Sequence, residues 1–147
     1  MILYGHWRSL ATYRVRVALN LKGIHAELRA VDLLGKAHLE ATYRAVNPQG
    51  LLPALDVGQG RALFQSLAIL EYLDETHPTP PLLPADALGR ARVRGLAQIV
   101  AADAHPLIVP RVRDYLQFDV GLDDAARQKW IARFALPALE EIGRAHV

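Results

Sequence analysis

The serine Ser9 stands where a short apolar run stops and a long amphipathic run starts. The apolar run MILYG ends at Gly5, and Val15, Ala18 and Leu19 then recur at helical spacing. A hydroxyl just before a helix N-terminus can donate a hydrogen bond to an anion such as a thiolate, while the helix end adds favourable potential. The alternative is that Ser9 only caps the helix, which is the ordinary role of serine at such a position.

A second serine and two arginines are of types that can bind carboxylates. Ser66 precedes the amphipathic run LAILEYLDETH, where we expect it to cap a helix and to lie beside free backbone N–H groups. Arg8 adjoins Ser9, and Arg111 lies in the second half of the chain. A guanidinium pairs with a carboxylate through two hydrogen bonds, but a solvated surface position is the alternative for both arginines.

The composition excludes several other classes of site and partner. The 147-residue chain contains no cysteine, which excludes disulfides, thiolate zinc sites and a cysteine nucleophile, and we expect no metal. The formal net charge is +2, and the arginines are interspersed with acidic residues, so we expect no nucleic-acid partner. No apolar stretch reaches the length of a membrane helix, and the first residues are unlike a signal peptide. We therefore expect a cytoplasmic protein without membrane contact.

The pattern of apolar runs predicts the elements that must position these residues. Up to residue 77 the order is strand, helix, strand, short helix, strand, strand, helix, which is a parallel unit followed by an antiparallel hairpin. This order predicts an α/β, thioredoxin-like domain at residues 1–80 and, after a proline-rich linker at 81–86, an all-α domain at 87–147. In the second domain we expect one long helix from about Leu88, with a helix-breaking residue at Pro110, and another helix after Asp123.

Four stretches of the chain form a recognisable series: WRSLATYRVRVALNLKGI, NPQGLLPAL, QSLAILEYLDETHPTP with LLPAD, and ADAHPL. In this order they resemble the zeta class of glutathione transferases, which includes maleylacetoacetate isomerase and bacterial maleylpyruvate isomerase. The resemblance implies the glutathione transferase fold, with a thioredoxin-like domain followed by a helical one. Members of the class have a longer helical domain, so we expect this chain to be truncated at its C-terminus. A natural short form is the alternative.

The resemblance also implies roles for individual residues. Ser9 takes the place of the serine that activates the thiol of glutathione, and Pro53 that of a cis-proline, with Leu52 pairing its backbone with the cysteinyl part. A trans-proline in an edge strand is the alternative for Pro53. His38 and Gln49 would contact the glycyl end, and the alternative is that both are ordinary polar residues facing solvent. The implied glutathione-binding set is Ser9, Ala11, Thr12, His38, Gln49, Leu52, Pro53, Gln65 and Ser66, and the implied substrate-binding set is Arg8 and Arg111.

The segment after Ser9 departs from the pattern of the class. The class usually shows serine, cysteine, serine and tryptophan where this chain has Leu10, Ala11, Thr12 and Tyr13. Two polar groups beside the sulfur are therefore missing. Stabilisation of a thiolate must depend on Ser9, on Thr12 if its hydroxyl points inward, and on backbone amides.

The activity that the resemblance implies is glutathione-dependent cis–trans isomerisation of a maleyl-type diacid, by thiolate addition, rotation and elimination. One alternative is a transferase that conjugates or dehalogenates small electrophiles, which the apolar residues Ile108 and Val109 favour. Another is a glutathione-fold binding module without turnover, which Leu10 and Ala11 favour. The resemblance further implies glutathione as the cofactor, a small diacid or electrophile as the second ligand, and a homodimer as the assembly.

Overall fold

The computed structural model describes residues 1–145, so residues 146 and 147, the end of the predicted helical domain, lie outside the described residues. The chain divides into two compact units, Met1–Leu83 and the residues from Pro84 onward. The elements of the first unit are β1 (Ile2–Gly5), α1 (Leu10–Leu21), β2 (Glu27–Ala30), a 3-10 turn (Ala37–Leu39), α2 (Ala41–Arg44), β3 (Ala54–Asp56), β4 (Leu63–Phe64) and α3 (Ser66–Thr76).

The strands of the first unit form one mixed sheet in the order β2-β1-β3-β4, the thioredoxin-like arrangement that the sequence predicts. β1 runs parallel to β2 and antiparallel to β3, and β4 is antiparallel to β3. Leu3 of β1 faces Leu55 of β3, and both are buried together with Val15 of α1 and Ile69 of α3. Each such buried side chain stabilises the fold by about 1.5–3 kcal/mol, so α1 and α3 are fixed against β1.

α1 starts and ends at the residues that the sequence indicates. Ser9 has an extended backbone, and its Oγ accepts a hydrogen bond from the N–H of Thr12 at 3.2 Å. At the other end Gly23 has a φ of 64°, and the N–H of Ile24 donates to the carbonyl of Leu19 at 2.9 Å. Glycine adopts this left-handed conformation without the clash that a Cβ atom would cause. Both limits of the helix are therefore set by local chemistry.

Lys22, the residue after α1, is a buried lysine with a 0% exposed side chain. Its Nζ donates to Oδ1 of Asp74 at 2.8 Å and to the carbonyls of His77 and Pro80 at 2.6 and 2.8 Å. An ammonium group has three donors, and all three are used here. These bonds tie the end of α1 to the end of α3 and to the segment that follows it.

α3 begins differently from the expectation that Ser66 caps it. Ser66 is the first helical residue, and the cap position belongs to Gln65, which has a φ of 66° and makes no side-chain cap hydrogen bond. The hydroxyl of Ser66 instead accepts a hydrogen bond from Nη1 of Arg14 at 2.6 Å. The capping prediction for Ser66 is therefore wrong, because an arginine on another helix uses its oxygen.

The second unit consists mainly of helices. Its longer helices are α4 (Ala87–Gln98) and α7 (Asp124–Ala145), and two short helices, α5 (His105–Ile108) and α6 (Pro110–Asp114), lie between them in the chain. Two π-helical segments, Ile99–Ala104 and Tyr115–Asp119, complete this part of the chain. The all-helical character of this half agrees with the fold class predicted from the sequence.

The long helix expected from Leu88 is interrupted at Val109, which has a ψ of 159°. The physical reason is Pro110, because proline disfavours helical backbone at the residue before it and lacks an N–H of its own. Nε1 of Trp130 donates to the carbonyl of Leu107 at 2.8 Å, which satisfies an acceptor close to the break. The helix-breaking effect expected of Pro110 is therefore observed, and the long helical run is divided into shorter segments.

Both longer helices of this unit start at an aspartate. Oδ1 of Asp86 accepts from the N–H of Gly89 at 2.7 Å, and Oδ1 of Asp123 accepts from the N–H of Ala126 at 2.8 Å. The second cap is the one predicted from the sequence. α7 has 22 residues, yet neither it nor any other helix within residues 1–145 is long and apolar enough to cross a membrane.

Candidate functional site

Ser9 lies at the N-terminus of α1 with its hydroxyl oriented by the first turn. Its Oγ accepts from the N–H of Thr12 at 3.2 Å, and its own N–H donates to the carbonyl of His6 at 3.0 Å. Because Oγ serves as an acceptor within the protein, its proton remains for donation to another group. The positive end of the helix dipole lies at the same place. This arrangement can stabilise an anion at Ser9.

Thr12 is buried beneath β1, with an exposed fraction of 1%. Its Oγ1 accepts from the N–H of His6 at 3.4 Å, and a Cβ atom added at Gly5 would overlap with Cγ2 of Thr12. The hydroxyl thus points into the protein and is bonded there. The backbone N–H of Thr12 therefore orients Ser9, while the Thr12 hydroxyl is bonded elsewhere. Of these two side chains, Ser9 is the one whose hydroxyl can donate to a sulfur.

The start of α3 is connected to α1 by Arg14. Nη1 of Arg14 donates to Oγ of Ser66 at 2.6 Å, while its Nη2 is buried and has no hydrogen-bond partner among the residues that the structure describes. Burial lowers the pKa of Arg14 from its ordinary value. Gln65, just before Ser66, has a left-handed backbone, which is uncommon for a residue other than glycine and is found at functional sites. The first turn of α3 is therefore placed beside α1.

The loop that contains Gln49 is shaped by buried side chains. The carbonyl of Leu51 accepts from Nδ2 of Asn47 at 2.8 Å and from the hydroxyl of Tyr43 at 2.6 Å. Oδ1 of Asn47 accepts from the N–H of Gln49 at 3.2 Å. Burial raises the pKa of Tyr43 to about 12, so its hydroxyl remains a donor at neutral pH. The loop therefore has a defined conformation up to Leu51.

Two predicted ligand groups on this loop and on α3 contact each other. Nε2 of Gln65 donates to Oε1 of Gln49 at 3.2 Å, and both side chains are exposed. The Leu52–Pro53 peptide bond, which follows the loop, is cis. Pro53 is buried and Leu52 is half-buried, immediately before β3. The structure thus brings Gln49, Leu52, Pro53 and Gln65 into one connected region.

His38 lies on the 3-10 turn that packs against Gly50. A Cβ atom added at Gly50 would lie 3.0 Å from the carbonyl oxygen of His38, so the close approach requires glycine, which also has a φ of 61° here. Burial, followed by the charges of Lys36 and Arg44, lowers the pKa of His38. Its Nδ1 is buried and has no partner among the described residues. The lowered pKa of His38 favours the neutral form of its imidazole.

The remaining predicted residues differ in their surroundings. Ala11 is buried in α1 and can offer only its backbone to a ligand. Arg8 is exposed beside Ser9, with its guanidinium 5.5 Å from the centre of the Trp7 ring. Arg111 is exposed on α6, in the second unit. Gln49 and Gln65 are linked by a hydrogen bond, His38 lies against Gly50 of the same loop, and Arg14 links Ser66 to α1, the helix that contains Ala11 and Thr12 and is capped by Ser9. These residues, together with Leu52 and Pro53, are called the connected region below.

The same region is matched by a known protein family. The family model for the glutathione S-transferase N-terminal domain matches residues 8–76. A holo structure of maleylpyruvate isomerase, a bacterial glutathione S-transferase in the zeta class, is similar with a TM-score of 0.93 and 48% identity, over 96% of this chain and 66% of that one. This chain belongs to the zeta class of glutathione transferases.

Two further zeta-class relatives are similar along most of the chain. A maleylpyruvate isomerase of Ralstonia is 52% identical over 130 residues, which is 88% of this chain and 61% of that protein. A maleylacetoacetate isomerase structure from Methylobacterium extorquens, with malonate and glutathione bound, has a TM-score of 0.92 and 47% identity over 96% of this chain and 66% of that one. The chain spans about three-fifths of the length of the Ralstonia relative.

Two residues of this glutathione transferase domain were missed by the sequence analysis, Arg14 and Asn47. Arg14 follows Ala11 by three residues and precedes Ala18 by four, so helical spacing places it on the stripe of α1 that is buried. Asn47 precedes a proline, a dipeptide typical of turns, and is only 1% exposed. Arg14 could have been found as a polar residue inside an apolar helical stripe. Asn47 could have been found from its Asn-Pro dipeptide.

Proposed function

We propose that this chain binds glutathione and uses its thiolate to isomerise maleyl-type diacids from cis to trans. The observation that carries the proposal is the geometry of Ser9, whose Oγ accepts from the N–H of Thr12 at 3.2 Å and so leaves its proton for a thiolate. A thiol beside a hydroxyl donor and a helix N-terminus has a lowered pKa, so that its thiolate form is present near neutral pH. The absence of cysteine means that the sulfur must come from the ligand.

The buried polar atoms of the site fit a ligand such as glutathione. Nη2 of Arg14 and Nδ1 of His38 are buried without a hydrogen-bond partner among the described residues. They belong to the two parts of the site assigned to the γ-glutamyl and glycyl ends, respectively. An unpaired buried polar group costs about 1–3 kcal/mol, and a polar ligand in the region would offset part of that cost.

Glutathione, when bound, would supply a thiolate that adds to the cis double bond, so that the former double bond becomes a single bond and can rotate before elimination of the thiolate restores the double bond in the trans form. Ser9 would donate its proton to the sulfur as a hydrogen bond and so lower the energy of the anionic form. Leu52 would pair its backbone with the cysteinyl part, in the manner of an added strand.

The second ligand is proposed to be a small diacid. The guanidinium of Arg8, exposed beside Ser9, can pair with a carboxylate through two hydrogen bonds. We assign the same task to Arg111, which is exposed on α6, on the basis of the resemblance to the zeta class. The Methylobacterium relative, whose structure contains malonate and glutathione, supports a diacid and the tripeptide as joint ligands.

Retention on immobilised glutathione, followed by an isomerisation assay with maleylacetone, tests the proposal. We expect retention and turnover for the native chain, and loss of turnover with continued retention for Ser9→Ala. Thr76→Ala, which removes an exposed hydroxyl at the far end of α3, is the matched control and should behave as the native chain.

The same assay separates two other candidates. Retention without turnover would leave a binding module, which the apolar side chains of Leu10 and Ala11 favour, since neither can stabilise a thiolate. Turnover only with halogenated or other apolar electrophiles would identify a conjugating or dehalogenating transferase. Failure of the native chain to be retained would overturn glutathione binding itself.

We further propose a cytoplasmic homodimer, on the basis of membership of the zeta class. Phe64 of the edge strand β4 is half exposed and supports an apolar contact with a second copy. Light scattering of the purified chain would give a mass of two copies, and a mass of one copy would contradict the assembly.

A further inference from the structure

Arg14, in the connected region, joins α1 to the first turn of α3 by a hydrogen bond. It lies on the buried stripe of α1, and its Nη1 donates to Oγ of Ser66 at 2.6 Å, across 52 positions of sequence. A guanidinium bond to a hydroxyl is charge-assisted and shorter than a neutral one. The position of this bond is fixed by the packing of the two helices against β1.

The chemistry of the two groups determines which way the hydroxyl of Ser66 is oriented. A guanidinium can only donate, so Ser66 must offer a lone pair to Arg14, and its own proton is directed elsewhere. The hydroxyl is thereby prepared to donate to an acceptor, and a carboxylate is the strongest acceptor among biological ligands. A serine without such a partner rotates its proton to suit whatever lies nearby.

The charge of Arg14 adds to this effect. Ser66 is the first residue of α3, an 11-residue helix whose N-terminal N–H groups are also donors. Nη2 of Arg14 is buried without a hydrogen-bond partner among the described residues, and burial lowers the pKa of the guanidinium. The cost of this desolvated charge is reduced when an anion lies beside Ser66.

We propose that Arg14 is a positioning residue for the γ-glutamyl end of glutathione: it holds the Ser66 hydroxyl as a donor to the α-carboxylate and places a positive charge behind it. This assignment rests on the proposed glutathione binding. Arg14 acts through Ser66 and is distinct from the substrate arginines Arg8 and Arg111. Its substitution is expected to change recognition of one carboxylate rather than the chemistry at Ser9.

Calorimetric titration with two ligands tests the assignment. One ligand is glutathione, and the other is the analogue in which the γ-glutamyl α-carboxylate is an amide. The native chain should prefer glutathione, and Arg14→Met should weaken glutathione binding about tenfold or more while weakening the analogue much less. Arg16→Met, which removes an exposed arginine two residues along α1, is the matched control and should keep the native preference.

Two further variants keep the test decisive. Arg14→Lys retains a charge but not the fork of donors, so its preference for glutathione should be lower than that of the native chain and higher than that of Arg14→Met. If Arg14→Met does not fold, the reduced preference of Arg14→Lys alone tests the assignment. Ser66→Ala should reduce the preference as well, and combining it with Arg14→Met should add little, because both remove one interaction.

Equal weakening of the two ligands by Arg14→Met, or an unchanged preference in Arg14→Lys, would show that Arg14 serves only the fold and would overturn the assignment. Loss of preference in Ser66→Ala with an unchanged preference in a folded Arg14→Met would overturn it as well, while leaving the proposed function intact. A native chain that binds neither ligand would instead refute glutathione binding, and the assignment with it.

Discussion

The two units of the molecule bury their apolar side chains to different extents. Of the fourteen hydrophobic residues that are buried within the described range, eleven lie in the first unit and three, Ala104, Leu116 and Ala138, in the second. Both units also expose large apolar side chains, such as Trp7 at 75% in the first and Leu88 at 82% in the second, so the difference lies in the buried residues. Hydrophobic stabilisation is proportional to apolar area removed from water, so most of it belongs to the first unit.

This difference shows where the candidate site obtains its rigidity. Ser9, Gln65 and Ser66 lie at the ends of elements that pack directly on the buried cluster around Leu3 and Leu55. A site must be kept within fractions of an ångström of its productive geometry, and packed elements do this better than exposed ones. The residues proposed to bind glutathione are accordingly placed on the better-buried unit.

The largest expected effect compares an ion pair in each unit. Asp74→Asn removes the charge that faces the fully buried Nζ of Lys22, and we expect a loss of about 3 kcal/mol in the free energy of unfolding. Glu140→Gln removes the partner of Arg144, a pair whose side chains are 66% and 77% exposed, and should cost less than about 0.5 kcal/mol. Urea unfolding of both variants and of the native chain measures the difference.

Lys22→Met combined with Asp74→Asn sharpens this comparison. The double variant leaves no buried charge behind, so it should be less destabilised than the sum of its two single variants. Equal losses for Asp74→Asn and Glu140→Gln would break the contrast between the units, since stability would then not depend on the burial of these groups.

The second effect compares the helix caps Ser9 and Asp86. Ser9→Ala and Asp86→Ala each remove a side-chain acceptor from a first-turn N–H and should each cost about 1 kcal/mol of stability. Only Ser9→Ala should also reduce the rate of isomerisation, by about 100-fold or more, because it removes a donor to the thiolate. Thermal unfolding and steady-state kinetics give the two readouts.

Ser9→Asp separates capping from catalysis in the same helix. An aspartate keeps an acceptor for the N–H of Thr12, so stability should be preserved, but it has no proton to donate and turnover should stay lost. Turnover by Ser9→Asp near the native rate would show that Ser9 only caps α1. Ser9 would then have the same role as Asp86 at the start of α4.

The smallest effect concerns acid conditions in the first unit. The pKa of His38 is lowered in the folded state from its ordinary 6.5, chiefly by burial. Below about pH 6.5 the unfolded chain therefore binds a proton that the folded chain does not, and stability falls as pH decreases. His38→Gln should flatten this part of the stability profile, whereas replacement of the exposed His25 should not.

Unfolding measurements between about pH 7 and 5 record this dependence. A profile of His38→Gln as steep as that of the native chain would show that protonation of other groups governs the acid side.

Local patterns in the sequence predicted the parts of the fold that depend on neighbours in the chain. Gly23 and Asp123 marked helix limits because left-handed backbone and side-chain capping are short-range effects. The strand before Ser9 and the hairpin after Pro53 followed from apolar runs between glycines. β2 was located by its alternation, although all four of its residues are exposed at the sheet edge.

Features that depend on distant residues escaped the sequence analysis. Ser66 was expected to be a cap because serine commonly is, and no local pattern shows that Arg14, 52 residues earlier, binds its hydroxyl. The burial of the Thr12 side chain against Gly5 likewise depends on the absence of a side chain at Gly5.

Gly5 has no functional group, yet it is linked to the candidate nucleophile activator in two steps. Its missing Cβ makes room for Thr12, and the N–H of Thr12 orients the hydroxyl of Ser9. A natural variant with a larger residue at position 5 would push that first turn outward and misdirect the hydroxyl without touching any ligand. A substitution at Gly5 is therefore expected to affect the orientation of the Ser9 hydroxyl, although Gly5 contacts no ligand.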